Sequence, residues 1–220
     1  MHEIVKSLLT PVLIGFLLSL GHTVFCQSKL IDTTELNIAF MQSDPAGRFR
    51  SWRSTHEQNY VLQGKKKSVK ATREIVSQNV WREADTEVSD NTTKISEVIY
   101  LNGTYYCRTD GGPWKKASIN CSTGSGSGWL PPDYQEEGVS SVENAILGKA
   151  PVKLYKFRVV YKNSDGTERL YERNFWVNLA GQRLKAEAAI KVAVTSEILE
   201  NYSEIYEYNV AGLKIVAPIK

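Results

Sequence analysis

Three kinds of side chain in this sequence could do chemistry: the cysteines Cys107 and Cys121, the histidine His56, and a scatter of carboxylates. The two cysteines suit a bond. The third cysteine, Cys26, closes an N-terminal apolar segment, so an exported chain keeps two thiols in a compartment where pairs oxidise. A loop of about 15 residues closed this way gains about 3 kcal/mol by the chain-entropy estimate. A redox pair is more often close-spaced, as in Cys-x-x-Cys, so Cys107 and Cys121 read as a structural disulfide. His56 is the one histidine beyond residue 26, and no Cys-x-x-Cys or His-x-x-x-His spacing occurs, so no metal site is expected. A Ser-His-Asp arrangement would need His56 and a strained serine turn. Gly124-Ser-Gly-Ser-Gly128 matches that turn by letters alone, inside a low-complexity tract. Glu136, Glu137, Glu204 and Glu207 read as solvated faces of loops and strands, and His56 as a surface strand residue. No phosphate-binding glycine-rich loop is present, so neither an enzyme nor a cofactor is expected.

What stands out is aromatic content: Trp52, Trp81, Trp114, Trp129 and Trp176, with eleven tyrosines and six phenylalanines. One reading is an ordinary core. The other is a cavity between a curved sheet and helices, lined by large apolar groups and able to hold an acyl chain.

The elements that must position these residues are mostly strands. Val152–Tyr161, Leu170–Asn178 and Arg183–Thr195 each alternate apolar and polar residues with period two. In the third, Leu184, Ala186, Ala188, Ile190, Val192 and Val194 share one face, and Arg183, Lys185, Glu187 and Lys191 stand between them. The connections Asn163-Ser-Asp-Gly166 and Ala180-Gly181 are short and turn-like, which predicts an antiparallel meander with one apolar face. Upstream, Glu97–Leu101 and Thr104–Arg108 flank Asn102-Gly103, the sequence of a two-residue type I′ turn. Pairing outward sets Leu101 opposite Thr104 and ends on a Glu97–Arg108 rung of opposite charge.

Residues 48–89 predict two to four rougher strands, with Gly64 and Asn79 as turn points. Ser28–Ser43 reads as a helix capped at Thr33 or Thr34, Val142–Leu147 as a short helix, Ile198–Asn209 as a strand and Leu213–Pro218 as a last short strand. Residues 1–26 read as a signal peptide: Lys6 precedes an apolar run from Leu8 to Leu20, and Val24 and Cys26 could stand before a cut that leaves Gln27 first. That run is shorter than the about 20 residues of a spanning helix. Acylation of Cys26, as in lipoproteins, is the lesser alternative because Phe25 stands where such signals carry a small residue. The segment holds one charge of each sign, Glu3 and Lys6, so the remainder (27–220, one domain) keeps the formal +3. That is too weak a bias for nucleic acid, and Lys65-Lys66-Lys67 reads as a solvated loop or edge guard.

The order helix, rough strands, hairpin, loop, short helix, meander resembles the outer-membrane lipoprotein carrier family, the LolA-like and LppX-like group. The segments that carry the resemblance are Val98–Tyr106 followed by Gly111-Gly-Pro-Trp114, Trp176-Val-Asn followed by Gly181–Lys185, and Tyr206–Asn209 with Lys214–Pro218. The cysteine pair, the Gly-Ser tract and Asn178 depart from the family's pattern. The resemblance implies an α+β fold: a strongly curved antiparallel β-sheet, an open half-barrel, covered by a few helices around a hydrophobic cavity. No ligand-contact residue is carried over from the family; the one-sided apolar meander and the aromatic surplus make Trp52, Trp81, Phe157, Phe175, Ile190 and Tyr202 the cavity candidates, with Trp129 and Leu130 as a mobile rim. The implied protein is a periplasmic or secreted monomer that binds a lipid or acylated ligand, with a membrane-associated protein as a further partner. The same fold also serves as a sensor or protein-interaction module with no transported ligand.

Overall fold

The computed structural model describes residues 28–45, 51–62, 64–90, 92–121, 138–162 and 166–219. The expected signal segment, the Gly-Ser tract, Glu136-Glu137 and the rim pair Trp129-Leu130 lie outside the described residues. In chain order the elements are β1 (Lys29–Ile31), α1 (Thr33–Gln42), β2 (Trp52–Leu62), β3 (Lys65–Ser77), β4 (Val80–Ser89), β5 (Thr92–Leu101), β6 (Thr104–Thr109), β7 (Lys115–Ala117), β8 (Val139–Leu147), β9 (Ala150–Lys162), β10 (Glu168–Asn178), β11 (Arg183–Val192) and β12 (Ile198–Tyr208). Among the described residues the strands form one antiparallel sheet, ordered β1-β8-β9-β10-β11-β12-β2-β3-β4-β5-β6-β7, which does not close. It is two meanders joined where β12 pairs β2, from Glu200↔Tyr60 to Tyr208↔Trp52. Each outer edge is a strand of three residues, too short to template further pairing.

Local chemistry accounts for much of this. Asn102 and Gly103 both take positive φ (48° and 92°), and the β5–β6 register is the one read outward from that turn, from Leu101↔Thr104 to Glu97↔Arg108. Arg108 donates from Nε to the Glu97 carboxylate. The region 48–89 resolves into three strands that break at Gly64 and before Val80.

Four expectations are corrected. Ser28–Ser43 opens as a strand, because Lys29–Ile31 pairs with β8, and the helix cap is Asp32, whose carboxylate accepts from the Glu35 N–H at 2.6 Å. A carboxylate outranks threonine there because it also meets the positive end of the helix dipole. Val142–Leu147 is the strand β8, not a helix: six residues cannot repay helix nucleation, whereas the long β9 supplies a full ladder from Val139↔Arg158 to Leu147↔Ala150. Leu213–Pro218 forms no strand, since β12 already has β11 and β2 as neighbours. Helical cover among the described residues is the single helix α1 rather than several.

That helix sits over the main core, formed by Ile31, Leu36, Trp52, Phe175, Val177, Ala186 and Tyr206; a second cluster gathers Val159, Tyr161, Tyr171 and Ile190. The β10–β11 ladder contains one irregularity of consequence. Trp176 pairs Lys185 but Val177 pairs Arg183, so Leu184 is an extra residue. A bulge of one residue exchanges the faces beyond it. Arg183, expected on the wet face, is therefore turned to the core face and is 3% exposed.

Candidate functional site

A pocket of about 310 Å³ lies between the C-terminal end of α1 and the sheet. It draws lining from β10 (Tyr171, Arg173) and from β3 (Arg73, Ile75), strands four spacings apart in the sheet. Laid flat, those strands would be roughly 19 Å apart, so the face that carries α1 curls inward. Phe40, Trp52, Ile75, Ala186, Ala188 and Tyr206 give the pocket its apolar wall, and Arg73, Arg173, Arg183 and Glu204 bring charge into it.

Arg183 holds the roof. Its guanidinium donates to the Phe40 carbonyl and, from Nε, to Ser43 Oγ at 3.3 Å, while its backbone N–H donates to the Ser43 carbonyl at 3.3 Å. The last turn of α1 contains no basic residue of its own, so the sheet provides the cation that the helix's unpaired carbonyls favour. Its guanidinium also lies 3.7 Å from the centre of the Phe40 ring.

Across the pocket floor, Tyr202 and Tyr206 both donate their hydroxyls to one Glu204 oxygen, the second at 2.5 Å. Tyr208 donates to the Arg183 carbonyl at 2.6 Å. Burial, chiefly, pushes all three phenols above their ordinary range, with the Glu204 carboxylate adding to it, so they stay protonated donors. The Tyr171 phenol is pushed up to about 12, again mainly by burial. Arg73 donates from Nε to Glu83 at 2.7 Å, and Glu83 is itself buried.

Two polar residues depart from their expected exposure. Glu204 is 9% exposed rather than solvated, because the even rungs of β12 that carry Tyr202 and Tyr206 face the pocket. His56, expected at the surface, is 4% exposed, since β2 lies mid-sheet and His56 shares a rung with Glu204. Its ring is 5.8 Å from that of Tyr202. Burial lowers the imidazole below its ordinary value, and the Arg73 charge lowers it further, against the opposing pull of Glu204 and Glu83. The native state thus resists a proton that the unfolded chain takes up near its free value of about 6.5. Stability should be unaffected by His56 above that pH and fall as pH drops below it toward the lowered native value. The check is urea unfolding at pH 7 and pH 5.5: His56→Gln should flatten the acid-side slope, and an unchanged slope would assign the acid sensitivity elsewhere.

Of the expected cavity residues, Trp52 and Tyr202 line the pocket. Phe175 lies beside it in the core, stacked on Tyr155 at 4.8 Å and edge-on to Phe40 at 5.4 Å. Ile190 belongs to the second cluster, with Phe157 packed against both clusters. Trp81 lies apart, in an aromatic group with Tyr100 and Tyr105. The charged members were missed. Arg173 carried a signal, since it falls in the odd-numbered series of Tyr171, Phe175 and Val177; Arg183 carried none, since the bulge that turns it inward leaves no mark in the letters.

Cys107, on β6, is disulfide-bonded to Cys121, with their Cα atoms 6.3 Å apart. Among the described residues no cluster of His, Cys, Asp or Glu could hold a metal ion, and no helix is long and apolar enough to cross a membrane.

Fold and site define an open antiparallel sheet with a helix-roofed pocket on one face. No family model matches the chain, and no curated protein matches it in sequence. Among solved structures it is similar to a LolA superfamily protein from Nitrosomonas europaea, at 8% identity over 80% of this chain and 92% of that one, with a TM-score of 0.31. It is also similar to a putative outer membrane lipoprotein-sorting protein domain from Vibrio parahaemolyticus, at 8% identity over 81% and 93%, TM-score 0.26. A DUF1329 family protein from Desulfovibrio piger matches at 9% identity over 84% and 96%, TM-score 0.27. Overlap at this level carries no ligand with it, and the functional argument rests on the pocket's own chemistry.

Proposed function

We propose that this is a non-enzymatic binding protein of the periplasm that holds a lipid or acylated ligand in the pocket under α1. The observation that carries the reading is the composition of that pocket: an apolar wall contributed by a helix and by strands from both meanders. A volume of about 310 Å³ stands at the lower end of the range for small-molecule sites, which is about 300–1,000 Å³, and suits one acyl chain rather than several. The residues facing it offer hydrogen-bond donors and paired charges, which suit holding a ligand in one orientation.

A second reading, a sensor or protein-interaction module with no transported ligand, is favoured by the polar filling beyond the pocket. Ser54, His56, Glu83, Asp85 and Ser96 are all buried on the pocket-bearing face. Native mass spectrometry of the full chain, expressed with its N-terminal segment and purified from a bacterial periplasm, separates the two. The expected result is an added mass that extracts as lipid and disappears in Ala188→Trp, which fills the pocket from its floor. A protein that is empty and also shows no saturable uptake of methyl dodecanoate would overturn the carrier reading in favour of the module.

A further inference from the structure

Arg173 is the one pocket guanidinium whose charge no described residue answers. Arg73 is bound to Glu83 at 2.7 Å, and Arg183 has the Phe40 carbonyl, Ser43 Oγ and, at 4.0 Å, the Asp44 carboxylate. The anions around the pocket are likewise engaged: Glu204 by the two tyrosine hydroxyls, Glu187 by Lys185 at 2.5 Å, Asp44 by Arg183. Arg173 has a ring beneath it, Phe40 at 3.5 Å, and among the described residues neither a hydrogen bond nor an ion pair. The same ring carries Arg183, so two cations share one aromatic face group. Burial and the nearby Arg183 both work against the Arg173 charge, and no carboxylate contributes to holding it. Guanidinium stays protonated in proteins regardless.

A second donor in the same pocket lacks an acceptor. Trp52 is 4% exposed, lines the pocket, and its indole Nε1–H has no hydrogen-bond partner among the described residues. Buried donors left unmade are rare in native structures, because each forfeits its hydration without return. Both donors line the same pocket.

We propose that the pocket takes a single-chain amphipathic anion, its carboxylate or phosphate head accepting from Arg173 and its chain lying along the apolar wall, with the Trp52 indole N–H a further donor lining the same pocket. This rests on the acyl-binding reading above and adds to it the polarity of the ligand and the direction in which it is held. The planar guanidinium fork matches an anionic head through two parallel hydrogen bonds, which a neutral ester cannot draw equally.

The test is calorimetric titration of the full chain with dodecanoate, methyl dodecanoate, dodecyl phosphate and inorganic phosphate alone, on the native protein, Arg173→Met and Arg173→Lys. The expected result is dodecanoate or dodecyl phosphate binding roughly ten-fold or more tighter than the ester. In Arg173→Met that preference vanishes while ester affinity stays as it was, and Arg173→Lys keeps part of it. The comparison of acid with ester on the native chain stands even if Arg173→Met fails to fold. Equal affinity for acid and ester would overturn the head-group assignment and leave the acyl-binding function standing. Inorganic phosphate binding as tightly as dodecyl phosphate would overturn it from the other side, marking a site for a small anion. Binding of none of the four would remove both readings together.

Discussion

Phe175→Ala should lower the stability of the fold by about 3–5 kcal/mol, the range for truncating a fully buried phenylalanine. The ring is 1% exposed and is held from two sides, by Tyr155 in a stacked pair at 4.8 Å and by Phe40 of α1 edge-on at 5.4 Å. Its loss combines the missing transfer term, the void left between sheet and helix, and two aromatic contacts worth about 0.5–1.5 kcal/mol each. Urea unfolding measures it, read at constant slope so that the shift in midpoint reports stability alone. A loss under about 1 kcal/mol would mean that the helix and sheet close over the void, and that Phe175 is not the residue on which α1 rests.

Arg183→Ala is expected to cost about 2–4 kcal/mol, with a different signature. Hydrogen bonds to charged groups contribute about 1.5–3 kcal/mol each, and part of that is offset because removing the side chain also removes a buried charge. What is lost is the bond to the Phe40 carbonyl and to Ser43 Oγ, both at the C-terminal end of α1. The helix should therefore loosen before the sheet does. Amide hydrogen exchange is the measurement: in Arg183→Ala the amides of Thr33–Gln42 should lose protection ahead of those in β10 and β11. Arg183→Met keeps the aliphatic packing without the donors and should show the same order of loosening with a smaller loss. Uniform loss of protection across helix and sheet would assign Arg183 to general packing.

The two variants separate contacts that differ in how readable they were. Phe175 announced itself, as an aromatic residue in a strand with period-two alternation, and the meander containing it runs as expected through β9, β10 and β11. The β5–β6 hairpin was legible to the individual rung, because Asn102-Gly103 admits few turn geometries and the turn sets the register. The disulfide partners were legible as well, being the pair that remains beyond Cys26. By contrast β8 read as a helix, since Val142–Leu147 in isolation lacks the partner strand that determines its state. His56 and Glu204 read as solvated, since nothing local says that β2 and β12 meet mid-sheet. Gln58 and Glu200, hydrogen-bonded at 2.7 Å, are 142 positions apart in the chain.

By itself, then, the sequence determined many local features: which stretches alternate, where most of them turn, and which thiols are available to pair. These are local properties, set by side-chain sterics and turn chemistry over a few residues. Only the tertiary structure decided which face is covered, where the two meanders join, and which charges are enclosed. A single extra residue, Leu184, turns Arg183 from solvent to core, and the curl of the sheet brings Arg73 and Arg173 from strands four spacings apart to one pocket. The physical reason is that burial belongs to the pairing and curvature of the whole sheet, so a charged residue's place in a strand stays ambiguous until its neighbours across the ladder are known.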